Sequence, residues 1–186
     1  CYLNGGRVVV FGNCQDAVGN TMGGGEIVVH GHSGDAMGYG MRDGQIYIRD
    51  NVACRGGIHM KEFRQMRPVL VIGKNAGSFL GEYMAGGTIV LLGLDMKRGE
   101  KLFGTHCASG MHGGKIVLRC DKAPTDLPRQ VLVSEVSADD MTEFAPYIKE
   151  YAQLFGADAE NLLSQKYFVL TPNPEAGYKQ LYTFEA

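Results

Sequence analysis

The chain has no tryptophan and only six prolines in 186 residues. Its five cysteines, Cys1, Cys14, Cys54, Cys107 and Cys120, include no C-x-x-C pair. The odd number and wide spacing argue against a disulfide framework or an iron–sulfur cluster held within the chain. A reducing, cytoplasmic location is the resulting expectation. Cys14, Cys54 and Cys107 fall in short small-residue segments and read as small residues fitting tight corners, although a stacked column of thiols is a second reading. No apolar run is long enough to span a bilayer, and no signal-peptide pattern is present. The net charge is −2, with no long basic stripe, so no nucleic-acid partner is implied. A phosphate loop of the G-x-x-x-x-G-K-[ST] kind is missing. No helix follows any G-x-G string, as a dinucleotide fingerprint requires. His30 and His32, and the group His106, Cys107 and His112, lack a recognised ligand spacing and read as turn residues rather than a metal site. Cys1 stands first without a methionine, so the polypeptide is expected to begin upstream or to be processed. Nothing around Tyr2, Leu3 and Asn4 resembles a catalytic pocket.

What the chain has is glycine: 27 residues, about twice the usual share, nearly all before residue 115. They recur in a phrase. A glycine pair, or Asp-Gly, precedes one mostly polar residue and a short apolar strand, as in Gly5-Gly6-Arg7-Val8-Val9-Val10 and Gly24-Gly25-Glu26-Ile27-Val28-Val29. It returns at Asp43-Gly44-Gln45-Ile46-Tyr47-Ile48, Gly86-Gly87-Thr88-Ile89-Val90-Leu91 and Gly113-Gly114-Lys115-Ile116-Val117-Leu118. Gly6, Gly25 and Gly44 stand 19 residues apart; Gly87 follows after 43 and Gly114 after 27. An apolar stretch from Pro68 to Ile72 fills the longer gap. Between the strands lie weaker segments of small residues and glycines, such as Asn13 to Gly19, Ser33 to Gly38 and Ala76 to Gly81.

A period near twenty is the signature of a solenoid, whose units bury their faces only by stacking. The expected fold is all-β: a right-handed parallel β-helix, a single-stranded solenoid, over residues 1–122. A linker and C-terminal helical cap follow over 123–186. A nineteen-residue unit holds two or three short strands and turns, not a helix of ordinary length. The six-residue aliphatic period of left-handed helices is missing, as is a leucine-asparagine frame. An antiparallel sandwich with glycine hairpins is the alternative, but a weak segment separates every pair of strong strands. Val8, Val10, Ile27, Val29, Ile46, Ile48, Ile89, Leu91, Ile116 and Leu118 share offsets from their glycines and are expected to stack in columns.

Beyond Asp121 the composition changes. Ala123 to Pro128 reads as a linker. Ser137 with Asp140 three places on forms a near capping box. Met141, Phe144, Ile148, Tyr151 and Phe155 then follow at helical spacing. Gly156 stops this helix, Asp158 caps a short second one through Leu162 and Leu163, and Tyr167 to Leu170 reads as a strand.

The phrases Gly38-Tyr39-Gly40-Met41-Arg42-Asp43-Gly44, Gly81 to Gly93 and Ala108-Ser109-Gly110-Met111-His112-Gly113-Gly114 resemble the G-x-G-x-G repeats of the glutamate synthase large subunit. Gly12 to Val29 resembles an early coil of the same domain, and Phe144 to Val169 the segment that follows it. One of the subunits of formylmethanofuran dehydrogenase is similar in the same repeat. The resemblance implies that Gly24, Gly25, Gly38, Gly40, Gly44, Gly81, Gly86, Gly87, Gly110, Gly113 and Gly114 are structural repeat glycines. It implies a non-catalytic scaffold that positions the glutamine amidotransferase and FMN synthase parts of an NADPH- or ferredoxin-dependent oxidoreductase. Catalytic, cofactor and metal residues would all be absent here, and FMN and the iron–sulfur cluster would sit on partner subunits. The chain lacks the amidotransferase, the FMN barrel, the cysteine cluster and the longer insertion usual near residues 31 to 38. It therefore resembles the free-standing version of the domain.

Two other functions compete. One is a scaffold of a formylmethanofuran dehydrogenase-type complex. The other is an independent carbohydrate-active β-helix, for which Asp16 and Asp35, one period apart, would be the carboxylates. The expected partners are the other synthase subunits, not nucleic acid or membrane, with a homo-oligomer left open. The candidate contact is the irregular stretch from Arg55 to Arg67. It carries Arg55, His59, Lys61, Arg64 and Arg67 against one acid, Glu62, and breaks the repeat length, as insertions on a contact face do.

Overall fold

The computed structural model describes residues 2–97 and 99–175; Cys1 and the 176–186 part of the expected C-terminal segment lie outside them. Among the described residues eight strands are present: β1 Asn4–Val10, β2 Gly23–Val29, β3 Asp43–Ile48, β4 Val69–Ile72, β5 Ala85–Leu91, β6 Gly113–Arg119, β7 Val131–Glu135 and β8 Tyr167–Pro172. Two helices, α1 Ala138–Phe155 and α2 Ala159–Leu163, lie between β7 and β8.

The expected all-β, right-handed parallel β-helix is not what forms. The strands make one mixed sheet in the order β1-β2-β3-β4-β5-β6-β8-β7. β1 to β6 pair in parallel, but β8 runs antiparallel to β6 and to β7. The weak segment between strands contributes no second sheet of strands among the described residues. Among the described residues it supplies turns and single bridges, such as Ser33 to Val52 and Val52 to Ala76. The physical reason is backbone conformation. In the first repeat Ala17 and Thr21 have φ of 57° and 51°, with Gly19 between them at 73°. Left-handed residues at alternate positions cannot continue a pleated strand. They close two overlapping turns instead, with Asn20 N–H donating to the Ala17 carbonyl and Met22 N–H to that of Gly19.

The strand register does follow the repeat. Val8, Ile27, Ile46, Leu70, Ile89 and Ile116 lie side by side, as do Val10, Val29, Ile48, Ile72, Leu91 and Leu118. The register slips at the glycine pairs, between Gly23 and Glu26 for example. It does not slip at β4, which lacks the pair. The second glycine of each pair is left-handed, with φ of 89° at Gly25 and 87° at Gly87. A Cβ on Gly25 would lie 2.5 Å from the Gly6 carbonyl oxygen, so both conformation and close approach require glycine there.

Alternation divides each strand between two cores. One face packs Ile27, Ile46, Leu70 and Ile89 against Met22, Met41, Met60 and Met84 of the turn segments. The opposite face packs Tyr47, Val71, Val90 and Val117 against Phe144, Ile148 and Tyr151 of α1. Ser137 and Asp140 form the full capping box, and Gly156 ends α1 left-handed at φ 72°. Asp158 caps α2 by accepting from Asn161 N–H. The outermost strand β1 is exposed along almost its whole length.

Candidate partner-binding face

The corner segments carry three left-handed positions each, spaced two residues apart. The first column is Ala17, Ala36, Arg55, Phe79 and His106; the second is Gly19, Gly38, Gly57, Gly81 and Ala108; the third is Thr21, Gly40, His59, Tyr83 and Gly110. Backbone bonds link successive corners along the columns: Arg55 N–H donates to Ser78 O, Gly57 N–H to Met37 O, and His59 N–H to Glu82 O. The second column faces inward. A Cβ on Gly81 would lie 2.5 Å from Cδ1 of Ile116. The first and third columns face outward, where bulky residues are accommodated despite their positive φ.

Two exposed ladders result. In the first, the Arg55 guanidinium lies 5.4 Å from the centre of the Phe79 ring, and Phe79 stacks on His106 at 4.9 Å. In the second, Tyr39, which precedes the third-column Gly40, meets His59 at 5.7 Å with planes 70° apart. His59 stacks on Tyr83 at 5.2 Å with planes 13° apart. These spacings follow the strand-to-strand distance of a sheet, about 4.8 Å. Arg42, Lys61 and His112 border the second ladder along an open groove of about 580 Å³.

Between the third corner and β4 the chain adds an excursion. Phe63 and Met66 exchange backbone hydrogen bonds of 3.1 Å in both directions across Arg64 and Gln65, with Arg64 left-handed at φ 58°. Carboxylates tie down both ends. Glu62 accepts from Gly87 N–H at 3.0 Å, and Asp43 accepts from Arg67 N–H at 3.1 Å. The tip leaves Phe63 55% and Met66 39% exposed, with the Arg64 guanidinium 5.0 Å from the centre of the Phe63 ring.

The structure therefore divides the basic stretch. Arg55, His59 and Lys61 belong to the regular repeat, Lys61 N–H donating to Met41 O as Arg42 N–H does to Met22 O, whereas Arg64 and Arg67 sit on the excursion; all five are exposed. Sequence reasoning missed Arg42, Tyr39, Phe79 and Tyr83, which lie beside them on neighbouring repeats. A signal for the phase was present: Met22, Met41, Met60, Met84 and Met111 each follow the third left-handed position. Of the predicted repeat glycines, Gly25, Gly44, Gly87 and Gly114 are the left-handed members of the strand pairs, and Gly24, Gly86 and Gly113 precede them. Gly38 and Gly81 fill the second corner column, and Gly40 and Gly110 the third.

The other candidate residues have structural uses. Asp16 accepts from Asp35 N–H at 2.8 Å, and Asp35 accepts from Cys54 N–H at 2.9 Å. The two carboxylates thus pass backbone hydrogen bonds from repeat to repeat. His30 stacks on Phe11 at 4.9 Å and meets Phe155 edge-on at 5.1 Å. Among the described residues no three His, Cys, Asp or Glu side chains gather where they could hold a metal. Cys14, Cys54 and Cys107 occupy different points of the corner rather than one column, and these three and Cys120 are free thiols. Burial pushes the Cys107 thiol up to about 12. Among the described residues no helix is long and apolar enough to cross a membrane.

A stacked array of glycine-cornered repeats, closed by helices on one face, defines a repeat-built structural domain. The chain belongs to the GXGXG motif family, whose model matches residues 1–172. The match bears out the resemblance to the G-x-G-x-G domain of glutamate synthase. The chain is also similar to "Uncharacterized protein MJ1350" of Methanocaldococcus jannaschii, with 46% identity over 187 residues, 98% of this chain and 72% of that protein. At this level the chain is a glutamate synthase-related domain.

Proposed function

We propose that the chain is a non-catalytic structural part of a multi-subunit glutamate synthase. It holds a glutamine amidotransferase and an FMN-binding synthase in the relation that lets ammonia pass from one to the other. The observation that carries this reading is the family match across almost the whole chain. The chain supplies the family's repeat architecture and spends its conspicuous polar side chains on its own backbone. Asp16 and Asp35 are engaged in this way, which weakens the reading as a carbohydrate-active protein. FMN and the iron–sulfur cluster belong on the partners, and NADPH or ferredoxin supplies their electrons. The exposed residues Arg55, His59, Lys61, Arg64 and Arg67 are the proposed contact, since charges at a rim steer encounter and set register.

The test is reconstitution. The chain is co-expressed with a glutamine amidotransferase and an FMN-binding synthase subunit from the same organism. A stable complex is expected, in which flavin absorbance follows the partner and glutamine-dependent glutamate formation requires this chain. The double variant Arg64→Glu/Arg67→Glu should weaken assembly more at low than at high salt, with folding nearly unchanged. The reading is overturned if no complex forms and glutamine-dependent synthesis proceeds equally without the chain.

A further inference from the structure

We infer that the groove along Tyr39, His59 and Tyr83 is a docking site for the carboxylates of an acidic protein segment. The inference deepens the reading of this side as a partner contact and rests on it. Three observations carry it.

The first is the orientation of the rings. His59 lies between Tyr83, nearly parallel at 5.2 Å, and Tyr39, tilted at 70°. The parallel pair His59 and Tyr83 turn faces toward one another and leave their edges to the surroundings. An aromatic ring is negative on its face and positive at its edge. That pair, with Tyr83 at 43% exposed, therefore presents positive edges, a phenol hydroxyl and an imidazole, and Tyr39, 39% exposed and turned across His59, adds a second hydroxyl. A carboxylate meets an edge and a donor there.

The second is unspent positive charge. Arg42 and Lys61 border the groove, and among the described residues neither makes an ion pair; the five ion pairs use Arg7, Arg49, Lys74, Lys115 and Lys166. The nearest acids, Asp43 and Glu62, are turned onto the backbone N–H groups of Arg67 and Gly87. Arg42 and Lys61 thus line the groove with no carboxylate among its lining residues, in a chain whose net charge is −2.

The third is shape. The groove, about 580 Å³, crosses successive repeats and is open along its length. Beside it the excursion raises Phe63 and Met66 as exposed apolar side chains. This suits an extended segment carrying several carboxylates with an apolar residue at one end, rather than a compact ligand.

The test uses the full chain and a fluorescein-labelled octaglutamate peptide, followed by fluorescence anisotropy at about 50 mM salt, where surface charges are weakly screened. Octaglutamine is the uncharged control and glutarate the free dicarboxylate. Octaglutamate is expected to bind at least about tenfold more tightly than octaglutamine. Arg42→Gln/Lys61→Gln should weaken it about tenfold, and Tyr83→Leu about threefold through the lost ring edge. The double variant alters exposed charges only and keeps the test valid should Tyr83→Leu unfold, which thermal melting reports. Equal binding of the two peptides overturns the inference. So does octaglutamate binding untouched by the groove variants, or displacement of the peptide by glutarate at equal carboxylate concentration, which would make this a small-acid site. If any of these holds while Arg64→Glu/Arg67→Glu still weakens subunit assembly at low salt, the partner-contact reading stands and only the groove is lost.

Discussion

The two faces of the parallel sheet are covered from different distances along the chain. On one, Ile27, Ile46, Leu70 and Ile89 pack against Met22, Met41, Met60 and Met84, so the covering residue comes from the same repeat. On the other, Tyr47, Val71, Val90 and Val117 pack against Phe144, Ile148 and Tyr151. That cover comes from beyond the repeats, 102 residues on for Tyr151 over Arg49, and the hydroxyls along this face must be satisfied. Tyr151 donates to the Arg49 carbonyl at 2.8 Å, Tyr47 to Gln45 Oε1 at 2.7 Å and Tyr167 to the Leu162 carbonyl. The first face is a product of periodicity and steric fit. The second is docking, with the Tyr151–Arg49 hydrogen bond fixing where the helix sits. Errors on the first should propagate through the stack, and errors on the second should loosen the helix alone.

The sharpest way to break this contrast is a glycine change in each region. Gly87 has φ 87°, and a Cβ there would lie 2.5 Å from the Pro68 carbonyl oxygen. Gly87→Ala combines backbone strain with a clash against backbone and should destabilise by more than about 3 kcal/mol in urea unfolding. Gly156 ends α1 at φ 72°, and a Cβ there would meet nothing within 4 Å, so Gly156→Ala should cost only about 1 kcal/mol. Equal losses would mean that close stacking is not what requires glycine in the repeats.

Removing one hydroxyl probes the docked face. Tyr151→Phe should cost about 1–2 kcal/mol, because the Arg49 carbonyl loses its donor while the ring still packs. Burial first, and the nearby Asp50 second, push the Tyr151 phenol above its ordinary range; burial raises Tyr167 to about 12. A folded-state value above the unfolded one, about 10, contributes stability that is whole below about pH 10. It is lost as pH rises toward the folded value. Urea midpoints should therefore decline above about pH 10, less steeply in Tyr151→Phe.

A smaller change tests the corner columns in the opposite direction. Ala108 has φ 57° at a position where the preceding repeats carry Gly19, Gly38, Gly57 and Gly81. Ala108→Gly should stabilise by about 0.5–1 kcal/mol, since relief of left-handed strain exceeds the added entropy of the unfolded chain. A loss of stability would show that the buried methyl, not the backbone, decides that site.

The strands and their register were legible because periodicity is a local property. Ile27 and Ile46 hold equal offsets from their glycines, so stacking places them side by side with no further information. The caps of α1 were legible for a similar reason: Ser137, Asp140 and Gly156 act on neighbours within a few residues. The corners were harder to read. Left-handed backbone at Phe79, Tyr83 and His59 is unusual for bulky residues, and it is sustained by hydrogen bonds to the adjacent repeats. Tertiary structure alone decided that β8 returns antiparallel beside β6, that α1 lies across Tyr47 and Val90, and that the carboxylates of Asp16, Asp35, Asp43 and Glu62 turn onto backbone N–H groups. It also decided that Tyr39, His59 and Tyr83 form one ladder bordered by Arg42 and Lys61. Spacing along the chain records which residues repeat. Which side chains meet across repeats, and which face an amphipathic helix covers, depends on contacts that exist only once the stack has formed.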